Sequence, residues 1–238
     1  MIGTLLNVAT IILGGLLGLA FGSRLPERMG QTVVAGLGLF TVAYGLRMFS
    51  ETSNAVLVLL AMIIGGILGE WWQIEEGLKR LGAWLQARFA ANAEGGSAKF
   101  VRGFLTASLV YAIGPMAILG SIQDGLTGDF SLLAIKSTLD GFASIVFAST
   151  LGVGVLFSSL VILVLQGSIS LLAQQIQAVF TPAMIAELSA TGGLLLVGMG
   201  VSSLLEIKPI RVGNFLPALV IAPLIVALLA HFRIPLDF

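Results

Sequence analysis

Eight stretches of about twenty apolar residues, roughly 2–22, 30–49, 54–74, 100–122, 130–151, 154–176, 184–206 and 213–232, take up most of this chain. A helix of that length crosses a hydrocarbon core of ~30 Å. In lipid every backbone polar group needs a partner, so only helices and closed barrels span it. A barrel would read as short segments of alternating hydropathy, and no such pattern occurs here. The expected fold is therefore all-α: a polytopic transmembrane helical bundle forming a single membrane domain over residues 1–238. The mean hydropathy of +1.05 and the 10% of charged residues agree, since soluble domains carry about a quarter charged residues. Segments five and six are divided only by Gly152-Val153-Gly154, so seven spans, or a re-entrant pair, is the alternative count.

The first run starts almost at Met1 with no basic segment before it, and it holds Asn7 and several glycines. This reads as a retained span rather than a cleaved signal peptide. Zero cysteines exclude disulfides, thiolate metal sites and a cysteine nucleophile. A formal charge of zero gives no electrostatic case for nucleic acid. No Walker motif is present, His231 has no neighbouring metal ligands in sequence, and no cofactor is expected.

The long polar connection, Glu75 to Lys99, places Leu78, Leu81, Leu85 and Phe89 at helical spacing, with Lys79, Arg80 and Arg88 elsewhere. That pattern predicts an amphipathic helix lying along the interface over 76–89. Asn92-Ala-Glu-Gly-Gly-Ser-Ala98 reads as its flexible tail. Arg24 and Arg28 follow span one, Lys79, Arg80, Arg88, Lys99 and Arg102 follow span three, and Lys208 and Arg211 follow span seven. With eight spans these clusters share one side, expected to be cytoplasmic, with 75–99 a cytoplasmic linker. Trp71-Trp72 at the end of span three suits the headgroup level, while Arg47 and Arg233 dissent weakly. Span two around Gly36–Gly45 resembles span seven around Gly192–Val201, each followed by an Asn (Asn54, Asn214) and another apolar run. An offset of five spans is odd, so such a repeat would be inverted. Gly14-x-x-x-Gly18 and Gly65-x-x-x-Gly69 read as small-residue packing faces.

Polar groups concentrate in the middle of the chain. Gly114-Pro115 interrupts span four, which lipid tolerates only where protein or water satisfies the freed backbone. Ser121, Gln123, Asp124 and Asp129 lie in the polar turn that follows, and Lys136, Ser137, Asp140 and Ser144 lie inside span five. Lys136 and Asp140 are four apart, on one helical face where they can pair. Ser137, Asp140 and Ser144 make a second stripe with the same Asp. Asp or Lys at a helix centre costs roughly 2.5–3.5 kcal/mol on insertion scales, so such groups usually face a protein interior or a wet cavity. Asp124 and Asp129 also occupy positions suited to a turn or a helix cap, and Lys136 lies close enough to the span's start to snorkel. Asn7, Gln166, Ser168 and Ser170 either line the same cavity or bond between helices. Glu70 and Glu206 fall near helix ends and read as interfacial. Pro217 and Pro223 interrupt span eight, and broken helices expose backbone groups at membrane depth.

The block Gly114-Pro-Met-Ala-Ile-Leu-Gly-Ser-Ile-Gln-Asp-Gly-Leu-Thr-Gly-Asp129, with Lys136-Ser-Thr-Leu-Asp-Gly-Phe-Ala-Ser144, resembles the YdfK/YqgA-like family of bacterial multi-spanning inner-membrane proteins. The Asn7 span, the Leu25-Pro26 turn and Asn214-Phe-Leu-Pro217 are similar too, so the resemblance covers nearly the whole chain. It implies residence in the bacterial inner membrane. That family has no assigned activity, so it implies no site residues.

The polar block points to a secondary transporter or channel for a small solute or cation. Asp140, assisted by Asp124 or Asp129, would bind a cation or proton. Ser137, Ser144 and Gln123 would supply neutral oxygens, and Lys136 would hold Asp140 in the empty state. Ser121 and Asn7 complete the candidate set. An intramembrane enzyme is not expected: Ser137 adjoins Lys136, and neighbours on a helix point about 100° apart. The alternative is a non-transporting membrane scaffold, sensor or assembly partner using segment 76–89. The partners expected are the lipid bilayer and a small solute or ion, and a homo-oligomer is compatible with such a bundle.

Overall fold

A computed structural model describes residues 1–22, 27–89, 96–113 and 115–233. The elements are α1 (Ile2–Gly22), α2 (Glu27–Phe49), α3 (Ala55–Trp72), α4 (Ile74–Phe89), α5 (Gly96–Ala112), α6 (Pro115–Thr127), α7 (Ser131–Leu151), α8 (Gly154–Leu171), α9 (Ala173–Val179), α10 (Pro182–Met199) and α11 (Ala218–His231). Five residues of π-helix, Gly200–Leu204, extend α10, and a 3-10 turn, Val212–Phe215, precedes α11. Among the described residues there is no strand, and seven helical stretches are long and apolar enough to cross a membrane. The predicted span four is two helices, α5 and α6, bent by 63°. The break falls at the predicted interruption: α5 ends at Ala112 and α6 starts at Pro115, while Gly114 lies outside the described residues. The Leu25-Pro26 turn with Arg24, and residues 92–95 of the expected tail, lie outside them too, whereas Gly96, Ser97 and Ala98 open α5 as helix rather than continuing a flexible tail. The division at Gly152 is present, its φ of +82° ending α7 in a conformation that glycine tolerates best.

The described chain forms two compact units, Met1–Gly36 with Lys79–Ala178, and Leu37–Leu78 with Val179–Phe238. Nothing in a hydropathy profile announces this interleaving. In both units the buried faces mix small and polar residues with large apolar ones such as Phe104 and Leu195, while the outer faces carry mainly large aliphatics. α3 buries Ala61, Gly65 and Gly69 and exposes Leu59, Ile63 and Ile67. Lipid is as apolar as leucine, so close backbone packing, not hydrophobicity, selects the interior face.

In the first unit α1 and α7 run parallel and in contact. A Cβ built on Gly3 meets Leu133, one on Gly14 meets the carbonyl of Gly141 at 2.2 Å, and one on Gly18 meets that of Ile145 at 2.2 Å. α8 runs antiparallel to α1, with Leu156 against Gly15 and Gly167 near Met1. α5 descends beside α7, Gly103 at Leu151 and Tyr111 at Phe147. α4 has the amphipathic character expected of it. Its Gly82 and Leu85 pack on Val101, Phe100 and Phe104 of α5, and Leu81, Trp84 and Phe89 stay exposed.

In the second unit α3 and α11 are antiparallel, with Gly65 at Ala218 and Gly69 at Asn214. The stretches whose likeness suggests an inverted repeat lie on α2 and α10. Those helices also pack antiparallel, each of Gly45 and Gly193 touching the other's carbonyl. A second likeness is plain once helices are compared by course. Ile12-Leu-Gly-Gly-Leu-Leu-Gly18 of α1 recurs as Ile63-Ile-Gly-Gly-Ile-Leu-Gly69 of α3. Laying Gly192 of α10 on Gly141 of α7 matches Met184 with Leu133, Glu187 with Lys136, Thr191 with Asp140 and Met199 with Ala148, all buried.

Candidate functional site

The stripe on α7 points inward, as its spacing predicts: Lys136, Ser137, Asp140 and Ser144 are all buried. Lys136 Nζ donates to Asp140 Oδ2 and forms an ion pair with it. Asn7 of α1 donates from Nδ2 to the same carboxylate oxygen at 2.9 Å. The parallel packing of α1 on α7 supplies this partner from 133 residues away in sequence. One turn further, Ser144 shares a 2.8 Å hydrogen bond with the phenol of Tyr111 on α5. Ser137 instead returns its proton to Leu133 O at 2.6 Å. The core of the site is therefore Asn7, Lys136 and Asp140, with Tyr111–Ser144 beside them. It is charge-balanced, the condition under which a buried ion pair is tolerated. It is not saturated: the buried Asn7 Oδ1 accepts no hydrogen bond.

The other candidates lie elsewhere. Asp124 is buried at the amino end of α1, where its Oδ2 accepts from Gly3 N–H at 3.1 Å and its Oδ1 lies 3.0 Å from the Met1 nitrogen. A carboxylate there meets unsatisfied amides and the positive end of the helix dipole. Ser121 donates to Ala117 O at 2.6 Å, and its own carbonyl accepts from Ser170 Oγ at 2.9 Å. Ser121, Gln123 and Asp124 lie on α6 rather than in the expected turn, and from there Gln123 Nε2 donates to Asp129 Oδ2 at 2.6 Å. Asp129 Oδ1 in turn accepts the hydroxyl and amide protons of Ser131, the first residue of α7, at 2.6 and 3.0 Å, although the N-cap position itself is Phe130 rather than the expected Asp129. None of these four bonds to the Lys136–Asp140 pair, so the expected help of Asp124, Asp129 and Gln123 to Asp140 is not a direct contact.

The Ser131 hydroxyl, and then its amide, hold the Asp129 carboxyl below the usual carboxylate range. A group whose folded pKa is depressed stabilises the fold above its unfolded pKa and loses that effect as pH falls through the folded one. Acidification below the ordinary carboxylate range is thus expected to loosen the first turn of α7. Unfolding midpoints measured across acid pH should fall less steeply for Asp129→Asn than for the parent.

Three groups, Tyr111, Glu187 and Thr4, escaped the sequence reading, and Gln166, expected to line the cavity or bond between helices, makes no hydrogen bond. Tyr111 looked like one more apolar position in a span. Glu187 of α10 is 1% exposed and accepts from Thr52 Oγ at 2.6 Å and Ser53 N–H at 2.8 Å. A lone carboxylate five residues into an apolar run was its available signal. Thr4 and Gln166 are fully buried, with Thr4 Oγ1 and both amide atoms of Gln166 unpartnered. In the second unit Glu70 is more than interfacial. It pairs with Arg211 and accepts from Asn214 Nδ2 at 2.6 Å, while Asn214 Oδ1 takes Glu75 N–H at 2.8 Å. This network ties the 3-10 turn to the α3–α4 junction. Glu206 is exposed. Among the described residues no group of three or more His, Asp or Glu side chains is disposed to hold a metal.

Seven apolar helices, a bent eighth pair and ionisable side chains packed between helices define a polytopic α-helical membrane protein. The family model described as "Protein of unknown function (DUF554)" matches residues 2–227, and the chain belongs to that family. It is 33% identical over 233 residues to "Uncharacterized protein YqgA" of Escherichia coli (strain K12), covering 97% of this chain and 99% of that protein. It is 30% identical over 236 residues to "Uncharacterized membrane protein YdfK" of Bacillus subtilis (strain 168), covering 98% of each. No solved structure matches.

Proposed function

We propose that the first unit holds the binding site of a secondary transporter or channel for a small solute or cation in the bacterial inner membrane. The observation that carries this reading is the Lys136–Asp140 pair, buried on a membrane-length helix and bonded to Asn7 of a second helix. Ionisable groups at that depth are costly and mark ion or solute paths. Lys136 occupies Asp140 when the site is unloaded. An incoming cation or proton competes for the same carboxylate, with Asn7 Oδ1 and the Ser144 hydroxyl as neighbouring neutral ligands.

The direction of the helices supports an orientation. With α1, α2 and α3 each crossing once, α7 runs parallel to α1 only if α5 and α6 together make one crossing. With eight crossings the loops bearing Lys79, Arg80, Lys99, Lys208 and Arg211 would share a side by chain order alone, and their excess of basic residues supports reading that side as cytoplasmic.

The test is current recorded on solid-supported membranes carrying the purified protein, scanning cations, amino acids and small carboxylates across pH. Substrate-dependent current in the parent is expected to disappear in Asp140→Asn, with insertion unchanged. Equal current in that variant removes Asp140 from the path. A second reading, a membrane scaffold or assembly partner, is favoured by the exposed Leu81, Trp84 and Phe89 of α4. Absence of flux for every solute, with co-purification of a protein lost in Trp84→Ser, would support it.

A further inference from the structure

Glu187 differs from the Lys136–Asp140 pair in one respect: it has no cation. The carboxylate is 1% exposed on a membrane-length helix. Its partners are the neutral Thr52 hydroxyl and Ser53 amide, and no ion pair forms on it among the described residues. An isolated buried charge is far costlier than a paired one. One turn along the same buried face of α10 stands Thr191, fully buried, with a hydroxyl that meets no partner. Ser189 on the same helix, with Thr4 and Ser108, shares this condition among the described residues, whereas most other buried hydroxyls are bonded. Ser121, Ser137 and Ser158, equally buried, return their hydroxyl protons to carbonyls of their own helices. A carboxylate present only to hold the α2–α3 turn accounts for Thr52 and Ser53 but leaves the Thr191 oxygen without a partner.

We propose that Glu187, Thr52 and Thr191 form a site for a monovalent alkali cation, entered from the α2–α3 turn. The chemistry fits the class. The available ligands are hard oxygens, one charged and two neutral, which suits alkali and alkaline-earth cations rather than softer metals. A single carboxylate is neutralised by a single positive charge, whereas divalent oxygen sites recruit several carboxylates. The Thr52 hydroxyl, 2.6 Å from the carboxylate and half-buried, lies on the turn through which an ion would enter. The overlay of α10 on α7 adds a parallel. Glu187 and Thr191 occupy the positions of Lys136 and Asp140, so one unit would carry a fixed ammonium where the other recruits a mobile cation.

The test uses the full chain in detergent micelles, with unfolding midpoints measured in sodium, potassium or choline chloride at equal ionic strength. The midpoint is expected to rise saturably with sodium or potassium and to stay flat with choline. Glu187→Gln should abolish the rise. Thr191→Val should move the half-saturating concentration upward at least tenfold, and it spares the bonds to Thr52 and Ser53. Asp140→Asn should leave the rise intact, which separates this site from the transport reading: either can fail while the other stands. Equal midpoints in alkali and choline salts, a parental rise in Glu187→Gln, an unmoved half-saturation in Thr191→Val, or loss of the rise in Asp140→Asn alone would each overturn the proposal.

Discussion

Lys136→Met is expected to destabilise the protein by about 3–5 kcal/mol, the cost typical of removing one partner from a buried ion pair. Lys136 and Asp140 are 6% and 8% exposed, so little water is available to solvate the orphaned carboxylate. What remains to it is the Asn7 amide at 2.9 Å, and one neutral donor does not replace an ammonium. Methionine keeps the length and apolar character of the lysine stem, so the loss reports on charge rather than on packing. The double variant Lys136→Met/Asp140→Leu should recover most of the stability, because a well-packed apolar pair often equals or exceeds a buried salt bridge. Denaturant unfolding of the four proteins in micelles gives the coupling directly. A single variant as stable as its parent would show that the two groups are not held as an ion pair. The comparison also separates stability from function: if the apolar double variant folds well, the charges are kept for a reason other than the fold.

That reason was partly visible in the chain before its structure. Lys136 and Asp140 are four residues apart, and helix geometry alone places them together. The break at Pro115 and the division at Gly152 follow from backbone chemistry that is local in the same sense. The amphipathic run 76–89 was legible for a similar reason, though its Leu85 serves a protein core as well as the interface. Asn7 marked itself as a polar residue in a span, but nothing local says that its partner lies on α7. Tyr111 gave no sign at all. The interleaving of two units was equally hidden, because every transmembrane helix satisfies the same hydropathy rule and lipid does not distinguish one apolar neighbour from another. Asp124 and Asp129 answer to both of the roles their positions suggested. Each lies near the polar stripe in sequence, yet each bonds amides at a helix start, Asp124 at Gly3 and Asp129 at Ser131, rather than the Lys136–Asp140 pair. Glu187 was passed over because a single acid close to a span's end resembles an interfacial residue.

The glycines give the second large effect, and its sign depends on position. A Cβ on Gly14 would lie 2.2 Å from Gly141 O, and one on Gly69 would lie 1.8 Å from Asn214 O. In both cases the obstacle is backbone of a neighbouring helix, which yields only if the helix moves. Gly14→Val must push α1 from α7, and the 2.9 Å bond from Asn7 to Asp140 spans that interface. The expected loss is at or above ~3 kcal/mol, the upper end of overpacking, together with weakened substrate current, since Asn7 is carried away from the carboxylate. Gly69→Val should destabilise as much while leaving the Asn7–Asp140 interface alone, so surviving protein should retain activity. Gly77 of α4 supplies the opposite case. Nothing lies within 4 Å of its added Cβ, and it sits inside the helix Ile74–Phe89. Gly77→Ala should stabilise by about 0.4–1 kcal/mol through reduced freedom of the unfolded chain. Midpoints measured side by side should therefore fall for the first two variants and rise for the third. A common direction for all three would mean that helix propensity, not close approach of backbones, governs these positions.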